Sequence, residues 1–315
     1  MPNLLENEKI KALASTGLLI IIVLLSVFFI YHHRQDLAKI SSLSVPFIGI
    51  ISLLILIFIV LNGLVLKVIM ELFDVCLPAK EWLGLGVITT MSNYFVPMRG
   101  GASTRAVYLK KKYNFQFAKF LASMAGTHVI RFGVIGFLGM TALFAYFMSY
   151  GKFYVKLFLI FLIVWCAAIV LSFLLRRSTR LRVRWKAVSN IFEGFSYFRN
   201  KRKKVFGLAI LTTVSCVVMA LRLFFAFTAL GIKVNFLHVF IIGLFSFLSI
   251  VLSLTPANLG IKEAIIIFSS QTLGYKLTDG FLVAVIDRSL ALLIVFILGP
   301  IFSLILLKTP KSATK

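Results

Sequence analysis

Charged side chains inside long apolar stretches are where this sequence could do chemistry. Arg131, Arg222, Asp287 and Arg288 each lie within a run that otherwise reads as a spanning helix, and Lys262 and Glu263 sit beside a break in another. A charge at the centre of a membrane helix costs about 2.5–3.5 kcal/mol on insertion scales, so such residues face a cavity or a partner. A guanidinium holds phosphate or carboxylate through two parallel hydrogen bonds. Arg131 and Arg288 are therefore expected to bind an anionic headgroup, together with Glu263, and Arg99 and Arg105 to hold the same group at the cytoplasmic mouth. The competing expectation is that Arg131 or Arg288 pairs internally with Glu263 or Asp287; a pair that opens for a ligand satisfies both. His128 precedes Arg131 by three residues and shares its helix face. It and Asp287 are candidates for a proton relay, against the plainer reading of His128 as a packing histidine.

Two breaks must position these groups. The first is Asn93-Tyr94-Phe95-Val96-Pro97-Met98-Arg99-Gly100-Gly101, followed by Arg105; the second is Thr255-Pro256-Ala257-Asn258-Leu259-Gly260-Ile261-Lys262-Glu263. Both read Pro-x-x-x-Gly. Proline removes a backbone donor and glycine admits angles other residues avoid, so Asn93, Pro97 and Gly101, and then Thr255, Pro256 and Gly260, are expected to shape helical hairpins. Inside a bilayer, such a turn is tolerated only where protein or a water-filled cavity surrounds it. Half-length apolar stretches precede both breaks. Arg131 and Arg288 follow them about 30 residues on, before Ile135-Gly136-Phe137-Leu138-Gly139 and Val295-Phe296-Ile297-Leu298-Gly299. The match predicts an internal repeat of the kind that builds secondary transporters. The alternative is two unrelated kinks.

Composition fixes the class. The 315 residues are 60% hydrophobic with mean hydropathy +1.02, and several stretches exceed the ~18 apolar residues of a spanning helix. Net charge is +24. The positives gather in short connectors beside apolar stretches, which marks cytoplasmic loops and not nucleic-acid binding. Cys76, Cys166 and Cys216 have no metal-ligand spacing and read as small hydrophobic fillers. No metal and no cofactor is expected.

Taken in order, spans are expected at about 12–31, 45–66, 120–147, 154–175, 205–230 and 281–307, with half-length stretches around the breaks. The first, lacking a small-residue cleavage site after it, is expected to stay in the chain. Trp82 reads as an interfacial anchor. The basic connectors 99–119 and 176–204 and the tail from Lys308 are placed in the cytoplasm. The middle of the longer connector, Trp185 to Phe198, reads as a plain loop or as an amphipathic surface helix. The expected fold is thus an all-α polytopic membrane protein forming one membrane domain over 1–315. Six full spans and two re-entrant hairpins make an inverted repeat with cores at about 82–149 and 237–307. Both termini would be inside, at the cytoplasmic (inner) membrane. Counting both broken segments as full spans would give eight, and with the loop 99–119 kept inside both ends would then lie outside.

At the two breaks the chain resembles the membrane region of bacterial lysylphosphatidylglycerol synthase/flippases and their stand-alone, flippase-like relatives. The resemblance rests on Asn93, Pro97, Arg99, Gly101, Arg105, Arg131, Thr255-Pro256, Gly260, Glu263 and Arg288, and spans about Leu13 to Leu307. It implies re-entrant helices and the handling of lipids; in the bifunctional relatives this region moves an aminoacylated phospholipid between leaflets. The chain departs from the pattern twice. Ala102 stands where an acid is frequent, and Ala257-Asn258 where Gly-Gly is frequent. The resemblance covers the membrane region and none of the soluble aminoacyl-transfer domain of the full synthases, so synthase activity is not expected.

No nucleophile–base–acid set, phosphate-binding loop or dinucleotide fingerprint is present, and no catalytic residue is assigned. The leading expectation is a lipid flippase or transporter taking an anionic or aminoacylated headgroup. The rivals are a membrane-embedded transferase on lipid or lipid-linked sugar, using Glu263, Asp287 or His128, and a non-transporting membrane partner of such an enzyme.

Overall fold

A computed structural model describes residues 43–95, 100–178, 197–249 and 255–307, and every regular element among them is helical. In chain order these are α1 (Val45–Leu72), α2 (Ala79–Phe95), α3 (Gly100–Tyr113), α4 (Phe117–Tyr150), α5 (Val155–Ser178), α6 (Arg202–Ala229), α7 (Phe236–Leu248), a 3₁₀ turn (Pro256–Asn258), α8 (Ile261–Thr272) and α9 (Leu277–Leu307). Five of them, α1, α4, α5, α6 and α9, are long and apolar enough to cross a membrane. The span expected at 12–31, the tip residues Pro97 and Arg99, the middle of the connector 176–204 with most of its expected surface helix, and the tail from Lys308 lie outside the described residues.

The elements come in the same order twice: a long helix, a left-handed cap, a short helix, a bend, a second short helix, another left-handed cap and a long helix. The spacing repeats as well. Val45 opens α1 and Arg202 opens α6, 157 positions on; Ala79 opens α2 and Phe236 opens α7, again 157 on. After the first long helix of each copy the chain turns at Asp74 (φ 60°) and at Gly231 (φ 72°), also 157 apart. The Val75 and Ile232 amides then donate to the Met70 and Phe227 carbonyls at 3.0 and 3.1 Å, which satisfies helix-end acceptors. After the second short helix the turning residues are Asn114 (φ 49°) and Gly274 (φ 93°). Arg131 and Arg288 are 157 apart too.

Contacts sort the described chain into two compact units. One holds the described parts of Met1–Ile55, Thr89–Ala102 and Ala220–Ile297; the other holds those of Leu56–Ile88, Ser103–Met219 and Leu298–Lys315. The first has its core in Leu223, Phe227, Ile241, Ile242, Leu244 and Val283, all buried. Both bends belong to it. In the second unit, α4 and α5 pack through small residues. A Cβ on Gly136 would stand 2.8 Å from Trp165 Cβ, and one on Gly139 2.3 Å from the buried Phe161 ring. The Trp82 ring, expected as an interfacial anchor, lies against Gly63 of α1, where an added Cβ would meet it at 2.7 Å. Beyond α1, Lys201 reaches Asp74 and Lys204 reaches Glu71. The outward faces stay apolar, with Leu53, Phe137, Phe144, Ile163, Phe173 and Leu293 all exposed, as side chains facing lipid tails would be.

Candidate functional site

The second bend is the more completely tied. Thr255 is buried, and its hydroxyl donates to the Leu259 carbonyl at 2.7 Å. The chain then passes through Ala257 (φ 46°), Asn258 (φ 59°) and Gly260 (φ 82°), all left-handed. Asn and Gly tolerate that region; for alanine it costs about 1–2 kcal/mol, because Cβ crowds the following carbonyl. These are the two positions where the resembled pattern often has Gly-Gly, so the departure falls on backbone angles that glycine takes without strain. The Asn258 side-chain amide donates to the Ser249 carbonyl at 2.8 Å.

Gly260 opens α8, and its N–H donates to Glu263 Oε2 at 2.7 Å, half of a capping box. The other Glu263 oxygen faces Arg288 Nε at 3.2 Å. Arg288 Nη2 donates to the Ala257 carbonyl at 2.9 Å, and its guanidinium lies 5.1 Å from the centre of the Tyr94 ring. One arginine of α9 thus holds the strained bend, the first turn of α8 and an aromatic ring of α2. One residue back, Asp287 is buried between two cations: Oδ1 is 2.6 Å from Arg222 Nη2 and Oδ2 is 3.0 Å from Lys262 Nζ. A buried carboxylate so placed is tolerable only while a cationic partner stays beside it. The far ends of α7 and α8 are joined by neutral bonds. Tyr275 Oη accepts from the Asn235 amide at 3.1 Å and pairs with His238 Nδ1 at 3.0 Å.

The first bend is tied differently. At its tip Asn93 Oδ1 accepts from the Gly101 N–H at 2.9 Å, an α2 side chain satisfying an orphan donor of α3. A Cβ on Gly101 would stand 2.0 Å from the Thr89 carbonyl oxygen, so no larger residue fits without backbone movement. At the far ends of α2 and α3 Glu81 is buried, 1% exposed. It accepts from Lys112 Nζ at 2.8 Å and from Tyr113 Oη at 2.6 Å, and Lys112 also stands over the Tyr108 ring at 6.0 Å. Burial, and then the hydrogen bond to Glu81, push the Tyr113 hydroxyl above its usual range.

Arg105, one turn into α3, interacts with Arg131 of α4. The half-buried Arg105 guanidinium thus has a like charge within electrostatic reach. The His128 ring stacks on Phe132, 5.9 Å between centres. Among the expected site residues, the structure pairs Glu263 with Arg288, and Arg105 feels the charge of Arg131. Asp287 joins Arg222 and Lys262, residues the sequence marks as charged within or beside apolar runs and to which it assigns no site role. Glu81, Lys112 and Tyr113 carry no site signal in the sequence, only a lone acid at the start of a half-length helix and a lysine in the basic stretch 99–119.

No match is found among curated proteins or among solved structures. The family model described as lysylphosphatidylglycerol synthase TM region matches residues 15–299. With its all-helical build and membrane-length helices, the chain belongs to the lysylphosphatidylglycerol synthase TM-region family, a multi-pass membrane protein of a family linked to lipid modification or flipping.

Proposed function

We propose that this protein is a lipid flippase or transporter of the cytoplasmic membrane that carries a phosphate-containing headgroup past a polar site, with both termini inside. One observation carries the reading. At the second bend five ionic residues, Arg222, Lys262, Glu263, Asp287 and Arg288, gather beside an irregular turn between two helices too short to span. Backbone of that kind within a bilayer is a mark of transporter binding sites.

The joined far ends of α2 and α3, through Glu81 and Tyr113, support reading that segment as a hairpin that returns to its side of origin; Asn235, His238 and Tyr275 support the same for α7 and α8. Three crossings, α4, α5 and α6, separate the hairpins along the chain. They then open to opposite faces, the relation an alternating-access inverted repeat requires. Arg131 and Arg288 take equivalent places and serve the headgroup in turn, with Arg99 and Arg105 at the cytoplasmic mouth.

Reconstitution into liposomes with fluorescent phospholipids tests this. Wild-type protein is expected to accelerate translocation of a labelled anionic or aminoacylated lipid, and Arg131→Ala and Arg288→Ala to slow it by at least about tenfold. Wild-type rates in both variants would remove the site assignment, and absence of translocation of any phospholipid would remove the function.

A further inference from the structure

The charges at the second bend do not cancel. Arg222, Lys262 and Arg288 supply three positive charges, and Glu263 and Asp287 two negative. Every carboxylate oxygen is already engaged: those of Asp287 by Arg222 and Lys262, those of Glu263 by Arg288 and the Gly260 amide. Within an apolar surround, where charges are poorly screened, the remaining positive charge favours one anion.

Lys262 is where that anion would land. Its side chain is 21% exposed, the most of the five, against 2–4% for Asp287 and Arg222 and 15–17% for Arg288 and Glu263. An ammonium has three donors, and the one bond assigned here runs to Asp287 Oδ2 at 3.0 Å. Lys262 also lies in the first turn of α8, two residues after Gly260. A cation there opposes the helix dipole, whose positive end instead favours an anion. Nothing in the helix itself is served by lysine at this place.

We propose that Lys262 joins Arg288 as a phosphate-binding residue of this bend and that its ligand is a phosphodiester headgroup with a single negative charge. Asp287 positions the ammonium, and Arg222 compensates Asp287 when Lys262 turns to the ligand. A monoanion brings the cluster to neutrality; a phosphomonoester dianion would overshoot, and a headgroup without net charge would leave the excess in place. The inference deepens the lipid-handling reading above and rests on it.

Binding to purified protein in neutral detergent decides it, read by calorimetry with short-chain probes. Dihexanoylphosphatidylglycerol should bind, with dihexanoylphosphatidic acid and dihexanoylphosphatidylcholine each at least about tenfold weaker. Lys262→Met should weaken phosphatidylglycerol binding about tenfold or more, the loss of one charge-assisted hydrogen bond. It leaves Asp287 its Arg222 partner, so elution and melting temperature should stay near wild type; Lys262→Arg should keep most of the affinity. Unchanged affinity in Lys262→Met, or equal binding of the three lipids, would overturn the assignment. Equally tight binding of glycerophosphoglycerol or inorganic phosphate would overturn the lipid as ligand. Because translocation is not the readout, a protein that binds in this pattern and moves no lipid would sink the flippase reading and leave the Lys262 site standing.

Discussion

The two hairpins share a frame and place their charges at opposite ends. In α2–α3 the carboxylate is at the open end, where Glu81 holds Lys112 and Tyr113, and the bend closes on a neutral bond from Gly101 to Asn93. In α7–α8 the open end is neutral, with Asn235, His238 and Tyr275, and the carboxylates Glu263 and Asp287 crowd the bend. An ion pair is a strong tie only while both partners remain, because the survivor is left as an uncompensated buried charge. The first hairpin is therefore locked at its base and the second at its bend. The place where each is held ionically is also where substitutions should tell most.

The largest effects should come from breaking those locks. Glu81→Ala and Arg288→Ala should each lose about 3–5 kcal/mol in reversible unfolding from mixed micelles, the cost of stranding a buried charge. The discriminating control is Glu263→Gln on the Arg288→Ala background. The amide oxygen can still accept from Gly260 while the orphaned charge is gone, so a good part of the loss should return. Additive losses in that cycle would show that Glu263 and Arg288 do not act as a pair.

A middle-sized contrast lies in the bend backbones. Gly101→Ala should destabilise by about 1–3 kcal/mol, since its Cβ would meet the Thr89 carbonyl at 2.0 Å. Ala257→Gly should do the reverse and stabilise by about 1 kcal/mol, because it relieves a left-handed alanine. Equal signs in the two variants would mean the bends are not held as described.

Much of this was legible in the sequence, and what was not has a physical cause. Hydropathy marked the long helices, and Pro-x-x-x-Gly marked the bends, because both signals are residue identities. The doubled order of elements was visible at the bends, in the half-length stretches before them and around the two arginines. Elsewhere its copies use different residues for one conformation: Asp74 against Gly231 and Asn114 against Gly274 are all left-handed helix caps, and no identity match links them. Sequence could offer Glu263 or Asp287 as a partner for Arg288, but two carboxylates at compatible spacing cannot be ranked without geometry; the structure gives Arg288 to Glu263 and fills Asp287 with Arg222 and Lys262. Glu81 was hidden for a related reason. Its partners lie 31 and 32 residues away, across a bend whose closure the sequence does not encode locally.

The smallest expected contrast separates the two open ends by their tyrosines. Tyr113 donates to a carboxylate and Tyr275 bonds neutral groups, so Tyr113→Phe should cost about 1.5–3 kcal/mol and Tyr275→Phe about 1 kcal/mol near neutral pH. Alkali adds a direction. Burial and Glu81 raise the Tyr113 hydroxyl in the folded protein, whereas in the unfolded chain it titrates near the usual value of about 10. Its contribution is therefore fully present below about pH 10 and is lost as pH rises toward the raised folded value, because only the unfolded state sheds the proton. The melting-temperature gap between wild type and Tyr113→Phe should hold level from pH 7 to 9 and narrow above about pH 10. A gap that stays level to pH 11 would mean that Tyr113 ionises as readily folded as unfolded, and that Glu81 does not hold it.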